Sequence, residues 1–281
     1  NFDHSCDEFI RVIRYANSQH NMPFISIKVT GFARFALLEK LDAAAGEKEG
    51  FAGIVRTDVL DASEKQEWAR VEARMDRIIQ AAAEGKVGVL VDAEETWIQD
   101  PVDALTMKMM QKYNREKAIV YNTIQLYRHD RLAFLKNTAD AAWQHFIAGV
   151  KIVRGAYMEK ERRRSEEMGY ASPIQPDKEA ADRDYDAAIE YCLSRLDTIA
   201  VVIATHNENS NLYAIRLMTE KGISNGHEHV HFSQLYGMSD NITFNLARAG
   251  YSVSKYLPFG PIGDVVPYLM RRAQENSSVA G

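Results

Sequence analysis

The stretch Ile199-Ala-Val-Val-Ile-Ala204, followed at once by Thr205-His206-Asn207, decides the fold of this chain. A run of apolar, mostly β-branched residues is typical of a strand that is buried on both faces, as in a parallel sheet covered by helices. The pattern recurs along the chain, and further short apolar runs occupy residues 24–29, 87–92, 118–123, 150–153, 229–232 and 252–257.

Longer amphipathic patterns separate these runs and predict helices over residues 63–83, 101–114, 128–146 and 179–196. Alternating strands and helices indicate parallel strands with covering helices. The 281 residues suit a single domain, residues 1–281, of the α/β barrel type. A closed barrel needs eight strands. The N-terminal segment, residues 1–22, has a helical pattern instead, so we expect the first strand to be missing unless residues 51–55 supply it.

Composition narrows the function classes. The formal net charge of −5 argues against a nucleic-acid partner. Cys6 and Cys192 do not form a disulfide framework, which favours a reducing compartment. No apolar run has the length of a membrane span, so we expect a soluble or at most peripheral protein. The chain starts at Asn1 without a signal-like segment, which suggests a processed or trimmed end.

Polar residues follow every predicted strand. In a parallel barrel the active site lies at the carboxyl ends of several strands, so these residues are the candidate site. The segments begin at Lys28, Asp92, Gln125, Arg154, Thr205, Gln234 and Tyr256.

A helical pattern near the C-terminus places Tyr268, Arg271, Arg272 and Glu275 on one face. Two neighbouring guanidiniums can hold a carboxylate bidentately. This face therefore predicts a site for a small carboxylic acid such as an amino acid. The alternative is a solvated charged face with one ion pair.

Lys28 ends an apolar strand, and a lysine at a barrel mouth is costly unless it is paired. Asp92, at the end of the neighbouring strand, is the partner that we predict. Either the two form a structural salt bridge, or they recognise a substrate and assist proton transfer.

Two other strand ends carry weaker signals. Gly155 would let the backbone approach a ligand closely, and Arg154 is either a group that meets a cofactor or a structural ion-pair partner. Thr205, His206 and Asn207 suit a cofactor pyrophosphate, and His206 is a weaker candidate for a general base. Because no glycine-rich phosphate fingerprint is present, a nucleotide cofactor must bind by scattered contacts.

His227, His229 and His231 are spaced by two and would share one strand face, as in a metal triplet. They lie at the start of a strand, whereas barrel chemistry takes place at strand ends, so we predict no metal site.

Taken in order, these motifs resemble the proline dehydrogenase family, including the dehydrogenase domain of the bifunctional proline utilisation A proteins. The resemblance runs from Pro23 to the C-terminus. It rests on Ser26-Ile-Lys28-Val-Thr, Asp92-Ala-Glu-Glu, Asn122-Thr-Ile-Gln125, Lys151-Ile-Val-Arg154-Gly-Ala-Tyr157, Ala204-Thr-His206-Asn, Gln234-Leu-Tyr-Gly-Met238, Tyr256-Leu-Pro-Phe-Gly260 and Tyr268-Leu-Met-Arg271-Arg272-Ala-Gln-Glu275-Asn276.

The resemblance implies a distorted (βα)8 barrel with FAD bound non-covalently in its mouth and the last helix across the opening. It implies oxidation of L-proline to Δ1-pyrroline-5-carboxylate by hydride transfer to the flavin, the first step of proline catabolism, with electrons passed to a membrane quinone. Members of the family carry a strand upstream of the one that matches residues 24–29, and we expect this strand to be missing from residues 1–281.

The same resemblance implies roles for individual residues. The substrate positions are Lys28, Asp92, Leu235, Tyr256, Tyr268, Arg271 and Arg272. Catalytic roles fall to Lys28, Asp92, Arg271 and Arg272. The flavin positions are Gln125, Arg154, Gly155, Ala156, Tyr157, Thr205, His206, Asn207, Gln234, Leu235 and Glu275.

Three alternatives stay open. A related enzyme could act on hydroxyproline or another cyclic imino acid, although the bulk of Tyr268 favours proline. A metal-dependent barrel hydrolase could use the histidine triplet, and an inactive module could keep only the amino-acid clamp. Reduction of a membrane quinone would require transient membrane contact. The expected location is the bacterial cytoplasm or the periphery of the inner membrane, or the mitochondrion in a eukaryote.

Overall fold

The computed structural model describes residues 2–45, 55–258, 265–266 and 268–270. Within this part of the chain the strands of one sheet follow the order of the sequence. They are β1 (Phe24–Ile27), β2 (Gly88–Val91), β3 (Val120–Gln125), β4 (Ala148–Val153), β5 (Ile199–Ala204), β6 (Val230–Leu235) and β7 (Val253–Tyr256). The pairs β1–β2, β2–β3, β3–β4 and β6–β7 are parallel.

Each of the first six strands is followed by at least one helix, which is the connection that parallel strands require. The helices are α1 (Phe2–Asn17), α2 (Phe35–Ala43), α3 (Ala62–Gly85), α4 (Gln99–Tyr113), α5 (Arg131–Ala142), α6 (Met158–Met168), α7 (Lys178–Leu193), α8 (Glu208–Glu220) and α9 (Asp240–Arg248). Short 3-10 turns lie at Val29–Gly31, Thr57–Val59 and Thr96–Ile98.

The chain divides into two compact units, Asn1–Val201 and Val202–Gly281. The boundary falls inside β5. In the first unit the N–H of Ala148 donates to Thr198 at the entrance to β5. In the second, the N–H of Thr205 donates to Ser233 of β6. The predicted single domain stays a prediction.

A buried polar network ties the helices of the first unit to its sheet. Asp103 of α4 is almost fully buried and accepts a hydrogen bond from Arg131 Nη1 of α5 at 2.7 Å. It also accepts from Asn122 of β3 and from Gln99, each at 2.9 Å. A buried charge is stable only when paired and hydrogen-bonded. The network therefore fixes α4 and α5 against β3.

The predicted strands are all confirmed, with ends shifted by a few residues. The predicted N-terminal helix is α1, which precedes β1, and no strand precedes β1 among the described residues. The alternative eighth strand at residues 51–55 falls almost entirely outside the described residues. The predicted helix over 128–146 is shorter and spans Arg131–Ala142. Its start is delayed because Arg128 is held in the preceding loop by Asp130, at 2.7 Å.

None of the helices in these described segments is long and apolar enough to cross a lipid bilayer.

Candidate active site

In the first unit, Lys28 lies directly after β1, and its ammonium is held by two groups. Lys28 Nζ donates to Glu94 Oε2 and to the Tyr157 hydroxyl, each at 3.1 Å. Partial burial opposes the charged form, but the nearby carboxylate of Glu94 and the contact with Tyr157 outweigh it and raise the pKa of Lys28 above its usual value. The structure thus brings together the ends of β1, β2 and β4.

The predicted pairing of Lys28 with Asp92 is wrong. Asp92 forms an ion pair with Lys151 of β4, and both side chains are largely buried. Lys28 pairs with Glu94, two residues further along the same loop. The two carboxylates differ in their position relative to the sheet. The backbone N–H of Asp92 still donates to the carbonyl of Ile27 at 2.9 Å, whereas Glu94 lies beyond the sheet edge.

Gln125, at the end of β3, supports this loop. Its buried amide Nε2 donates to the backbone carbonyl of Glu94 at 3.0 Å. The N–H of Glu94 donates in turn to Gln99 Oε1 at 3.0 Å. Two buried glutamine side chains therefore hold the backbone of Glu94 in place.

Arg154, after β4, rests on helix α7. Its Nε donates to Asp182 Oδ1 at 2.6 Å, and its guanidinium lies 4.4 Å from the centre of the Tyr185 ring. The Tyr185 hydroxyl donates to the carbonyl of Ile152 in the same strand, at 3.2 Å. Arg154 is therefore a structural ion-pair partner of Asp182. Its side chain is also 22% exposed, so a cofactor could still reach it.

Gly155 and Ala156 are exposed, and Gly155 has φ +143°. A Cβ built on Gly155 would lie 2.4 Å from the ring of Tyr127. Only glycine fits at this position, because the conformation is rare for L-residues and the buried ring occupies the space of a side chain. The result is a stretch of accessible backbone beside Arg154.

In the second unit, Thr205 and Asn207 shape the turn between β5 and α8. Asn207 is the N-cap of α8, its Oδ1 accepting from the N–H of Ser210 at 3.0 Å. Thr205 Oγ1 accepts from the N–H of Asn207 at 3.0 Å.

His206 is held at both ring nitrogens. Nδ1 lies 3.0 Å from Ser239 Oγ, and Nε2 accepts from the N–H of Leu235 at 3.4 Å. Because a backbone N–H can only donate, Nε2 is the unprotonated nitrogen and Nδ1 carries the proton. This arrangement favours a positioning or binding role for His206 over a general base.

Gln234 and Leu235 lie at the end of β6. Gln234 is buried, accepts from Thr243 Oγ1 at 2.8 Å and donates to the carbonyl of Thr205 at 3.4 Å. Leu235 is the register partner of Tyr256 in β7. The structure thus places Leu235 next to Tyr256 in the sheet.

The ring of Tyr256 stacks on that of Tyr268, with 6.3 Å between centroids and 29° between planes. Residues 268–270 are helical, as predicted. Arg271, Arg272 and Glu275 lie outside the described residues, and so does most of the helix that was predicted to cross the barrel mouth.

The histidine triplet does not gather around a common point. His231 Nε2 lies 2.9 Å from Ser254 Oγ, and His227 Nδ1 accepts from the N–H of His229 at 3.1 Å. Burial lowers the pKa of His231 to about 4. In the segments that the structure describes, no group of three or more His, Cys, Asp or Glu side chains could hold a metal ion.

Three residues of this region were missed as functional candidates in the sequence. Glu94 and Lys151 belong to motifs that were recognised, but no role was given to either. Asp182 lies on α7, in a pattern read only as an amphipathic helix. Of the three, only Glu94 follows the end of a strand, and that position could have marked it as a site residue. Lys151 lies within β4 and Asp182 within α7.

The sequence of this chain is similar to those of known proline dehydrogenases. A family model described as proline dehydrogenase matches residues 2–281. The chain is 41% identical over 227 residues to mitochondrial proline dehydrogenase 1 of Drosophila melanogaster, covering 77% of this chain and 33% of that protein. It is 43% identical over 211 residues to hydroxyproline dehydrogenase of Xenopus laevis, covering 73% of this chain and 45% of that protein.

The fold is also similar to solved structures. Proline utilization A from Bdellovibrio bacteriovorus, solved after inactivation by N-propargylglycine, matches with a TM-score of 0.79 and 20% identity, over 98% of this chain and 28% of that one. At this identity the likeness concerns the fold, and it confirms the predicted class, an α/β barrel of the (βα)8 type. The chain spans less than half the length of each of these three proteins.

Proposed function

Because the chain belongs to the proline dehydrogenase family, we propose that it oxidises L-proline to Δ1-pyrroline-5-carboxylate with FAD as cofactor and a membrane quinone as final electron acceptor. One structural observation carries the proposal. Lys28, Glu94, Gln125 and Tyr157, from the ends of four consecutive strands, form one hydrogen-bonded network. Convergent polar groups at strand ends are the usual active site of this fold class.

Each unit, taken by itself, carries residues that suit one part of a flavin nucleotide. The exposed backbone of Gly155 and Ala156 has no bulky side chain, so a planar ring system can lie against it, and Arg154 beside it offers a cation. Thr205, His206 and Asn207 precede α8, and the N-terminus of a helix favours phosphate groups. When bound, FAD would supply the hydride acceptor.

The protein's own contribution is to bind and orient the substrate. Arg271 and Arg272 hold the proline carboxylate in this proposal, and Tyr256, Tyr268 and Leu235 bound the ring. Lys28 stays protonated and offers a donor, while Asp92 is held in place by Lys151. Two guanidiniums beside the reacting centre would also stabilise negative charge that develops there.

The test is anaerobic addition of L-proline to the FAD-loaded protein, with the visible flavin absorbance as readout. Bleaching supports the proposal. Retained FAD and bound proline without bleaching would identify an inactive amino-acid-binding module. In Arg271→Met and Arg272→Met, we expect KM for proline to rise about tenfold or more, the size of one lost charge-assisted contact, while the FAD Kd is unchanged. Unaltered proline kinetics in both variants would refute the carboxylate clamp.

A second substrate has support from the Xenopus relative, which is a hydroxyproline dehydrogenase. Tyr268 stacks on Tyr256, and its ring would crowd a hydroxyl on the substrate ring. We therefore expect a higher kcat/KM for proline than for trans-4-hydroxyproline, and Tyr268→Ser should narrow the ratio. A ratio that favours hydroxyproline in the unmodified protein would reverse the assignment.

The cellular setting is part of the same proposal. The Drosophila relative is mitochondrial by name. For this chain we propose a mitochondrial location in a eukaryote, or the cytoplasm or inner-membrane periphery in a bacterium, with transient membrane contact during quinone reduction. Co-sedimentation with quinone-containing vesicles, compared before and after flavin reduction, tests the membrane contact. L-Proline is the proposed substrate partner, and no nucleic acid is expected to bind.

A further inference from the structure

The loop that follows β2 carries two carboxylates two residues apart, and each holds a different lysine. Asp92 is paired with the buried Lys151 of β4. Glu94 is paired with Lys28, whose side chain is 43% exposed. One pair is thus closed inside the first unit, and the other presents its ammonium to solvent.

The carboxylate of Glu94 is held more firmly than that of an ordinary surface ion pair. Its Oε1 accepts from Thr30 Oγ1 at 2.6 Å while Oε2 accepts from Lys28. Its own backbone is fixed by Gln99 and Gln125, as described above. The side chain is only 13% exposed, so it is screened less by solvent than a surface carboxylate.

Lys28 has three N–H bonds, and within the described residues two have acceptors, Glu94 and the Tyr157 hydroxyl. Two fixed acceptors at 3.1 Å determine the direction of the third N–H. The groups that act on this ammonium are the carboxylate of Glu94, the hydroxyl of Tyr157 and, at longer range, Asp92, whose own charge is compensated by Lys151.

We propose that Glu94 is a positioning residue for Lys28, holding its ammonium charged and aiming its third N–H at an acceptor oxygen of the bound ligand. The acceptor is either a carboxylate oxygen of the substrate or a ring carbonyl of the cofactor. This inference rests on the proposed function for the identity of the ligand, but not for the geometry of the pair.

The direct test measures Lys28 itself and needs no activity. Trace labelling of amines with acetic anhydride over a pH series, with the Lys28 peptide quantified by mass spectrometry, reports the protonation of this one lysine. In Glu94→Gln, which keeps the shape and the acceptor for Thr30, the labelling rate of Lys28 at a fixed pH below the midpoint should rise about tenfold or more, because losing one adjacent opposite charge lowers a lysine pKa by about one unit or more. Glu94→Asp should lie between Glu94→Gln and the unmodified protein.

The second readout is kinetic. Glu94→Gln should lower kcat/KM for proline about tenfold, as expected for a weakened charge-assisted hydrogen bond, and the alkaline limb of its pH profile should move to lower pH. A raised KM with constant FAD Kd would assign the acceptor to the substrate, and a raised FAD Kd would assign it to the cofactor.

Glu67→Gln is the matched control. Glu67 is similarly buried, at 19% exposed, and is paired with Arg34 at 2.8 Å elsewhere in the first unit. It should change neither readout. An unaltered Lys28 labelling curve in Glu94→Gln, with native circular dichroism, would overturn the inference. Failure of proline to bleach the flavin of the unmodified protein would instead refute the proposed function, and the labelling result would still decide the role of Glu94.

Discussion

Gly155→Ala should be strongly destabilising, for two reasons that the structure separates. The φ of +143° at Gly155 is sparsely populated by L-residues and costs on the order of 1–3 kcal/mol. The new Cβ would lie 2.4 Å from the ring of Tyr127. That ring is 4% exposed and cannot move aside freely, so overpacking adds about 1–3 kcal/mol. The expected total is about 2–6 kcal/mol of unfolding free energy.

Urea unfolding followed by far-UV circular dichroism measures this loss. Gly169→Ala is the matched control, since Gly169 also has a positive φ, +73°, but its Cβ would meet no atom within 4 Å. It should cost only the backbone strain. In a Tyr127→Ala background the clash is absent, and Gly155→Ala should then cost about 1–3 kcal/mol less than it does in the unmodified protein.

The clash between the new Cβ at position 155 and the Tyr127 ring is refuted if Gly155→Ala costs no more than Gly169→Ala, or if its cost is the same with and without that ring. A linked functional result is expected under the proposed activity. Displacement of the Gly155 backbone should weaken FAD binding, measured as a higher Kd by quenching of flavin fluorescence.

Two further predictions concern buried ionisable side chains. Asp103→Ala should lower the unfolding free energy by about 3–5 kcal/mol, because it leaves the buried guanidinium of Arg131 without one of its carboxylate partners. Urea unfolding measures this loss, and a value below about 1 kcal/mol would contradict the prediction. The pKa of His231 is depressed to about 4, so the unfolded state binds the extra proton between about pH 6.5 and 4, and stability must fall as pH falls through that window. At pH 5 this group should account for about 2 kcal/mol of the loss, and His231→Gln should remove that part of the pH dependence of thermal unfolding.

Much of the fold followed from local patterns. Each buried strand, such as Ile199–Ala204, is a short apolar run, and burial on both faces of a parallel sheet requires that composition. The polar residues that end these runs marked the edge of the sheet where the candidate site lies. Helices α2, α8 and α9 received no prediction, and the boundaries of α5 were placed too wide.

The pairing of charges could not be predicted in the same way. Asp92 and Glu94 are separated by one residue, and either could have reached Lys28 as judged from spacing alone. The choice depends on the buried Lys151, 59 positions from Asp92, and on the glutamines that hold the backbone of Glu94.

The sequence by itself determined the alternation of strands and helices, the polar strand ends and the family to which they point. These features arise from hydrophobic periodicity and from motifs that are contiguous in the chain. Tertiary structure decided which carboxylate serves which lysine, that both nitrogens of His206 are engaged, and that Gly155 must be glycine because of Tyr127. These features depend on the directions of side chains that are brought together from distant strands. A shift of less than about 1 Å is enough to make or break a hydrogen bond, and local sequence patterns do not determine distances that closely.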